Sequence, residues 1–155
     1  MWLRIAAAAL LAFALFRMFG LAMRLRHAKL ERERERAEQE RQGRRVVAEL
    51  PLDEGVVLFL EDDAGFAWGA SRVARSQLRG ARMLLNGAVV AQASRDGGPL
   101  PSPAPATDFD GSERWEVELL AAGGVLSVPC GRLREGVSRE TASRVFEAAR
   151  RAVEG

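Results

Sequence analysis

Residues 114–130 read RWEVELLAAGGVLSVPC, and this stretch decides the fold class of the C-terminal part of the chain. Its first six residues alternate between charged and apolar side chains. That period of two is typical of an antiparallel strand with one face buried and the other in water. Gly123-Gly124 predicts a turn, Val125–Val128 a returning strand, and Pro129 the end of that strand.

Two further hairpins are predicted upstream of this stretch. Asn86-Gly87 stands between two apolar runs, and the pair is a strong hairpin signal because both residues accept the positive φ of a type I′ turn. An acidic turn at 61–65 separates the other two runs. The predicted strands are 55–60, 66–70, 79–85 and 88–93, and Ser71–Gln77 could hold a seventh.

The C-terminal residues 138–153 carry apolar side chains at intervals of three and four, as on one face of a helix. Ser138 is the predicted N-cap, and Glu140 lies in the first turn, where negative charge is favoured. The stripe, with Phe146 as its anchor, consists of Ala142, Val145, Phe146, Ala149 and Val153. We therefore predict an α+β domain at 46–155: an antiparallel sheet or partly open barrel of about six to seven strands with a C-terminal amphipathic helix.

Residues 94–113, SRDGGPLPSPAPATDFDGSE, interrupt the strand patterns with four prolines and three glycines. Irregular loops of this length are uncommon in compact domains and are often either functional or disordered. We interpret the segment as a disordered insertion in a hairpin, and a binding lid is the alternative.

The N-terminal stretch Ile5–Met23 comprises 19 residues that are apolar or Gly except for Arg17. As a helix it would cover roughly 28 Å, close to the thickness of a bilayer hydrocarbon core. The sequence therefore predicts a single-pass transmembrane anchor at 1–23, and its anchoring residues include Ile5, Phe13, Phe16, Phe19 and Met23. A cleaved secretory signal is the alternative, but Arg17 and the cations after Met23 surround its small-residue cleavage site.

Residues 24–45 are rich in arginine and glutamate and predict a solvated helical stalk, because apolar residues are too few there for a coiled-coil seam. Seven Lys and Arg residues lie within 24–41, whereas Arg4 alone precedes the anchor. This bias places the C-terminal domain in the cytoplasm, at the inner membrane. His27, the only histidine, has no companion ligand and receives no role.

Charge is divided unequally along the chain. Residues 1–45 hold 11 Lys and Arg against 5 Asp and Glu, whereas residues 46–155 hold 12 against 16. A net-acidic domain is a poor nucleic-acid binder, because affinity for phosphates comes mainly from cations. The basic segment suits anionic lipid head groups. We therefore expect the bilayer and an unidentified protein as partners, and no nucleic acid.

No catalytic, cofactor or metal motif stands out in the sequence, so we expect no enzyme activity and no cofactor. Cys130 has no histidine in its domain to activate it as a nucleophile. A hard-metal site is considered but solvated turn carboxylates are preferred; the residues are Glu61, Asp62, Asp63, Asp108 and Asp110.

Four arginines recur every three or four residues between the predicted hairpins: Arg72, Arg75, Arg79 and Arg82. They are candidate partner-binding residues, since a basic patch can dock an acidic partner. An ordinary solvated face is the preferred interpretation of the four.

The succession of meander strands and a capped C-terminal helix resembles the pleckstrin-homology-like (PH-like) domains of small bacterial membrane proteins. The residues that carry the likeness are Trp115–Leu119, Val125–Pro129 and Ser138–Val153. The resemblance implies a strongly bent antiparallel barrel with the helix at one end, and a scaffolding role. It implies no lipid head-group specificity, because the first hairpin lacks the compact basic cluster that phosphoinositide-binding members use.

The sequence thus favours a membrane-anchored, non-enzymatic adaptor that binds another protein or a second copy of itself. The alternative is a membrane-surface sensor that binds lipid or a small ligand through the soluble domain. A hydrolase or metal enzyme would need a general base, and nothing in the sequence pairs the available carboxylates for that role.

Overall fold

The computed structural model describes the backbone of residues 2–52, 55–104, 113–131 and 135–155. The side chains of residues 2–15, 21, 22, 24, 25, 28 and 135 lie outside the description. The chain splits into two compact units, Met1–Gln42 and Gly43–Gly155. The elements are α1 (Trp2–Arg41), β1 (Arg45–Leu52), β2 (Gly55–Asp62), β3 (Gly65–Trp68), β4 (Ser71–Ala74), a 3-10 turn (Arg75–Gln77), β5 (Leu78–Leu85), β6 (Ala88–Ser94), β7 (Trp115–Ala121), β8 (Gly124–Gly131) and α2 (Glu135–Glu154).

The first unit is the helix α1, which runs without a break from the predicted anchor into the charged stretch. It ends at Arg41, and Gly43 follows with a φ of +77° that a residue without a side chain adopts readily. Within the stalk, Arg36 Nε and Glu40 Oε1 form an ion pair at 3.2 Å, one helical turn apart. Within the residues whose side chains the structure describes, no helical segment is long and apolar enough to cross a membrane.

The described residues of the second unit form eight strands in two antiparallel sheets, ordered β1-β2-β3-β4 and β6-β5-β7-β8. The predicted α+β class is confirmed, but the expected count of six to seven strands is too low. Ser71–Ala74 supplies the candidate seventh strand, and Arg45–Leu52 is an eighth that the sequence pattern did not reveal. A bulge between Val46 and Ala48 shifts the β1 register and breaks the period of two by which a strand is recognised.

The order of the second sheet decides the path of the long loop. Strand β5 pairs with β6 on one side and with β7 on the other, so β6 and β7 are not neighbours. The segment between them is therefore a crossover rather than an insertion in a hairpin, which corrects the sequence interpretation. Its described residues 95–104 cross β5 on the face that carries Gly80 and Arg82. The opposite face of β5 carries Ala81 and Met83, which lie in the core with residues of α2.

One prediction for this sheet, the hairpin turn at Asn86-Gly87, is confirmed, whereas the predicted end of β8 at Pro129 is wrong. Asn86 and Gly87 have φ values of 51° and 79°, which confirms the predicted hairpin turn. Pro129, by contrast, does not end β8, which continues to Gly131. The register shifts opposite Trp115, and β8 is an edge strand, where the missing N–H of a proline is tolerated.

Helix α2 closes the domain and forms the core together with the two sheets. It is already helical at Glu135, so Ser138 is a buried residue inside the first turns and not the predicted N-cap. The predicted apolar stripe is confirmed as buried, and its members are Ala142, Val145, Phe146, Ala149 and Val153. Phe59 lies at the centre of the core residues that the first sheet provides. Its ring centroid is 5.5 Å from those of Phe66 and Trp68.

Replacing Asn86 with Ala is expected to lower the free energy of unfolding by about 1–2 kcal/mol. Alanine is strained at positive φ, and the change removes the Asn86 Oδ1 that accepts a 2.8 Å hydrogen bond from the Arg114 N–H. Urea unfolding followed by tryptophan fluorescence measures the loss. The exposed Gln92→Ala on β6 is the control, and an equal effect of both changes would contradict the role given to the turn.

Candidate functional site

The described part of the crossover, residues 95–104, forms a strap that crosses the outer face of the second sheet. A turn starts it: the Gly97 N–H donates to the Ser94 carbonyl at 3.3 Å. The Ser94 hydroxyl donates to the Gly98 carbonyl at 2.9 Å and holds the next part of the turn against the end of β6. Serine and glycine favour such turns because the hydroxyl bonds locally and glycine accepts positive φ, here 64° at Gly97.

Leu100 brings the strap down onto the sheet at Gly80 of β5. A Cβ placed on Gly80 would lie 2.7 Å from Leu100 Cδ2 and 3.0 Å from the Ala93 carbonyl oxygen. The glycine therefore supplies the space into which the leucine side chain fits. Any larger residue at position 80 would push the strap away from the sheet.

Under the strap lies a buried ion pair. Arg82 on β5 is only 2% exposed, and its Nε donates to Glu118 Oε2 directly across the strand pair on β7. The Arg82 Nη1 donates to the carbonyl oxygen of Pro101 in the strap. A buried guanidinium is stable only when its N–H groups are paired, so this network fixes the strap at Pro101.

A cleft of about 340 Å³ opens between the strap and the sheet, and we call it the strap cleft. Strap residues form one wall, and the adjoining ends of β5, β7 and β8 form the other. The walls are mainly apolar, and Arg79 and Asp96 are the charged residues among those that line them. The lining residues are Arg79, Ser94, Asp96, Gly98, Pro99, Leu100, Pro101, Leu120, Ala121, Gly124 and Val125.

The four arginines singled out by their spacing do not form one exposed surface. Arg72 lies on β4, Arg75 in the 3-10 turn, and Arg79 and Arg82 on β5. Arg72 and Arg79 are exposed and Arg75 is half-buried, whereas Arg82 is enclosed beneath the strap and cannot meet a partner. Of the four, the structure brings only Arg79 to the strap cleft.

The carboxylates of Glu61 and Asp62, in the acidic turn between β2 and β3, are paired with arginines. Glu61 and Asp62 each contact two guanidinium groups, and Asp62 Oδ1 also accepts 2.9 Å hydrogen bonds from two backbone N–H groups of the turn. Asp108 and Asp110, the other members of the considered metal site, lie outside the described residues. Within the described part of the chain, no group of three or more His, Cys, Asp or Glu side chains could hold a metal ion. The ion pairs are Glu61 with Arg75 (3.1 Å) and Arg45 (3.5 Å), and Asp62 with Arg72 (3.3 Å) and Arg44 (3.9 Å).

Cys130 is fully buried inside β8. Burial, aided by the negative charge of Glu116, raises the pKa of the Cys130 thiol to about 12. The thiol therefore stays protonated at neutral pH, and a protonated thiol is a poor nucleophile.

The residues predicted to anchor the chain lie on α1. Phe16 and Phe19 are 76% and 66% exposed and Met23 is 40% exposed. The side chains of Ile5 and Phe13 lie outside the described residues.

Sequence reasoning missed the network of Arg82, Glu118 and Pro101. A local signal existed, since Arg82 stands at the centre of a strand whose other residues from Gly80 to Leu84 are all apolar or glycine. An arginine at such a position must find a partner, but the alternation of β7 assigned Glu118 to the solvent face.

Comparisons with known proteins give no relative from which a function could be carried over. No protein-family model matches the chain, and no curated protein and no solved structure matches it.

Proposed function

We propose that this chain is a membrane-anchored, non-enzymatic adaptor that binds a partner protein with the strap and the sheet edge beside it. The observation that carries the proposal is the buried pair of Arg82 and Glu118, which fixes the strap through Pro101. A buried ion pair adds little to stability compared with apolar packing, and its best use is to specify one conformation. Loops held in place by a rigid scaffold are where binding function concentrates.

The surface presented there suits a protein contact. Val125 at the start of β8 is 49% exposed, and Pro99 and Pro101 are exposed beside it. Because the strap is already ordered and its prolines have few conformations to lose, binding through it costs little conformational entropy.

The surroundings of the reactive groups support a non-enzymatic role. The Cys130 thiol is buried and protonated, and the carboxylates of Glu61, Asp62 and Glu118 are occupied by arginines. None of these groups is placed as a free nucleophile or general base.

We further propose that residues 5–23 anchor the chain in the inner membrane, with the second unit in the cytoplasm. The length and composition of Ile5–Met23, the cations that follow it, and the exposed Phe16 and Phe19 on α1 support this part of the proposal. The PH-like resemblance, with its partly open barrel, stays a prediction; antiparallel strands followed by a C-terminal helix support it.

Two matched valines allow a direct test of the adaptor. Full-length protein, wild type or with Val125→Arg or Val137→Arg, is purified by an affinity tag from gently solubilised membranes, and a separate sample of the same membranes is washed with carbonate to test the anchor. Both valines are exposed, but Val137 lies on α2, outside the cleft lining. We expect the wild type and Val137→Arg to retain one stoichiometric partner, and Val125→Arg to lose at least 90% of it, since a desolvated arginine in the contact costs roughly 2 kcal/mol or more.

Three outcomes would contradict parts of this proposal. A partner retained by Val125→Arg would place the contact elsewhere. No stoichiometric partner with any form would contradict the adaptor role. Absence of the chain from carbonate-washed membranes would contradict the anchor.

A second candidate function, ligand sensing at the membrane surface, is favoured by the strap cleft. Its volume of about 340 Å³ suits a small molecule, and its apolar walls with two charged groups are typical of ligand sites.

A further inference from the structure

Two residues of opposite charge line the strap cleft without pairing with each other. Arg79 and Asp96 are both exposed, and neither side chain makes an ion pair or hydrogen bond with any residue that the structure describes. Their charged atoms are therefore more than 4.0 Å apart, although both residues line the same cleft. The acidic turn behaves differently, since Glu61 and Asp62 are each contacted by arginines.

The rest of the cleft is an apolar wall of limited size. Leu100 comes from the strap, Leu120 from β7 and Val125 from β8, and Leu120 is almost completely buried. A cleft of about 340 Å³ lies near the lower end of the range for small-molecule sites, roughly 300–1,000 Å³. A ligand that fits it must be compact and must offer an apolar body to these side chains.

We propose that the strap cleft binds a zwitterionic small molecule of the class of apolar α-amino acids. Arg79 pairs with its carboxylate, Asp96 pairs with its ammonium group, and Leu100 contacts its aliphatic or aromatic side chain. A simple carboxylic acid would meet Arg79 but leave its own charge beside Asp96, and an amine would be repelled by Arg79. A ligand that carries both signs can pair with both protein charges. This inference rests on the ligand-sensing candidate and not on the binding of a partner protein.

Three probes of matched shape test the proposal. L-leucine, 4-methylpentanoate and 3-methylbutylamine share an aliphatic body but carry both charges, only the negative charge, and only the positive charge, respectively. Binding to the full-length protein in detergent micelles is followed by isothermal titration calorimetry. Because a hydrogen bond to a charged group contributes about 1.5–3 kcal/mol, we expect L-leucine to bind about ten- to a hundredfold more tightly than either analogue.

Two conservative variants separate the roles of the two charges. Arg79→Gln should weaken the binding of L-leucine about tenfold or more without weakening the binding of 3-methylbutylamine. Asp96→Asn should weaken the binding of L-leucine to the same extent without weakening the binding of 4-methylpentanoate. Arg139→Gln, at an exposed position on α2 outside the cleft lining, is the control and should change nothing.

Several results would overturn the inference. They are no binding of L-leucine at about 10 mM, equal affinity for the three probes, and unchanged L-leucine affinity in both variants. If L-leucine fails while Val125→Arg still loses its protein partner, the ligand site is wrong and the adaptor stands. If L-leucine binds and no partner is found, the adaptor is wrong and ligand sensing stands.

Discussion

Replacing Arg82 with Met is expected to lower the free energy of unfolding of the second unit by about 3–5 kcal/mol. The change removes the cation but leaves Glu118, itself 8% exposed, as a carboxylate without its counter-charge beneath the strap. It also removes the donor to the Pro101 carbonyl, so the strap loses its attachment to β5. Urea unfolding of the full chain, followed by the fluorescence of the buried Trp68 and Trp115, measures the loss.

The same substitution at an exposed pair is the matched control. Arg144 and Glu140 on α2 form an ion pair whose side chains are 61% and 64% exposed, so Arg144→Met should cost less than about 1 kcal/mol. Replacing both buried partners, as Arg82→Met with Glu118→Leu, should recover most of the stability lost in the single variant, because no unpaired charge remains.

The stability of the double variant also separates folding from function. If the pair serves to fix the strap, the double variant should fold well and yet lose the partner that the wild type retains. Equal stability of Arg82→Met and Arg144→Met would show instead that the buried pair is dispensable, and the adaptor proposal would lose the observation on which it rests.

The parts of the fold that the sequence predicted are those fixed by neighbouring residues. The Asn86-Gly87 turn and the stripe that includes Phe146 depend on local φ preference and on helical spacing, and both are present. Strand β1 escaped detection because its bulge at Val46–Ala48 breaks the alternation. The start of α2 was misplaced because Ser138 resembles a cap, although the helix begins upstream of it.

The candidate site could not be predicted, because it depends on pairings that are distant in sequence. Whether residues 94–113 form a hairpin insertion or a crossover depends on β7 pairing with β5 rather than β6, and nothing in the loop composition states this. Arg82 finds Glu118 across 36 positions of sequence, so its burial follows from the sheet order. For the same reason, the spacing of the four arginines does not reveal that Arg82 is buried.

The stability of the second unit should also depend on alkaline pH through a single side chain. The chain has no tyrosine, and Lys29 and His27, its only lysine and histidine, lie in α1. Arginines keep their protons up to about pH 12 and beyond. Cys130 is therefore the only side chain of residues 43–155 that titrates between about pH 9 and pH 12, and its folded-state pKa is raised, by burial first and by Glu116 second.

Stability falls with rising pH because the folded state holds the thiol proton more tightly than the unfolded chain does. The folded state holds the thiol proton up to about pH 12, while the unfolded chain releases it near pH 9.0. Stability is therefore complete below pH 9 and is lost as the pH rises through this window, by about 1.4 kcal/mol per pH unit and about 3–4 kcal/mol in all. Urea unfolding at a series of pH values from about 8 to about 12, a range that includes both pKa values of the thiol, measures how steeply stability falls with pH. The ionic strength is kept constant throughout.

A change of Cys130 to Ala should remove this slope. The variant loses about 1 kcal/mol at neutral pH through the small cavity left by the sulfur, but its stability should stay level from pH 9 to 11, where the wild type declines. The two curves should therefore cross, which a purely packing role for Cys130 does not produce. Parallel curves would contradict the raised pKa, and with it the argument that the thiol is withheld from chemistry at neutral pH.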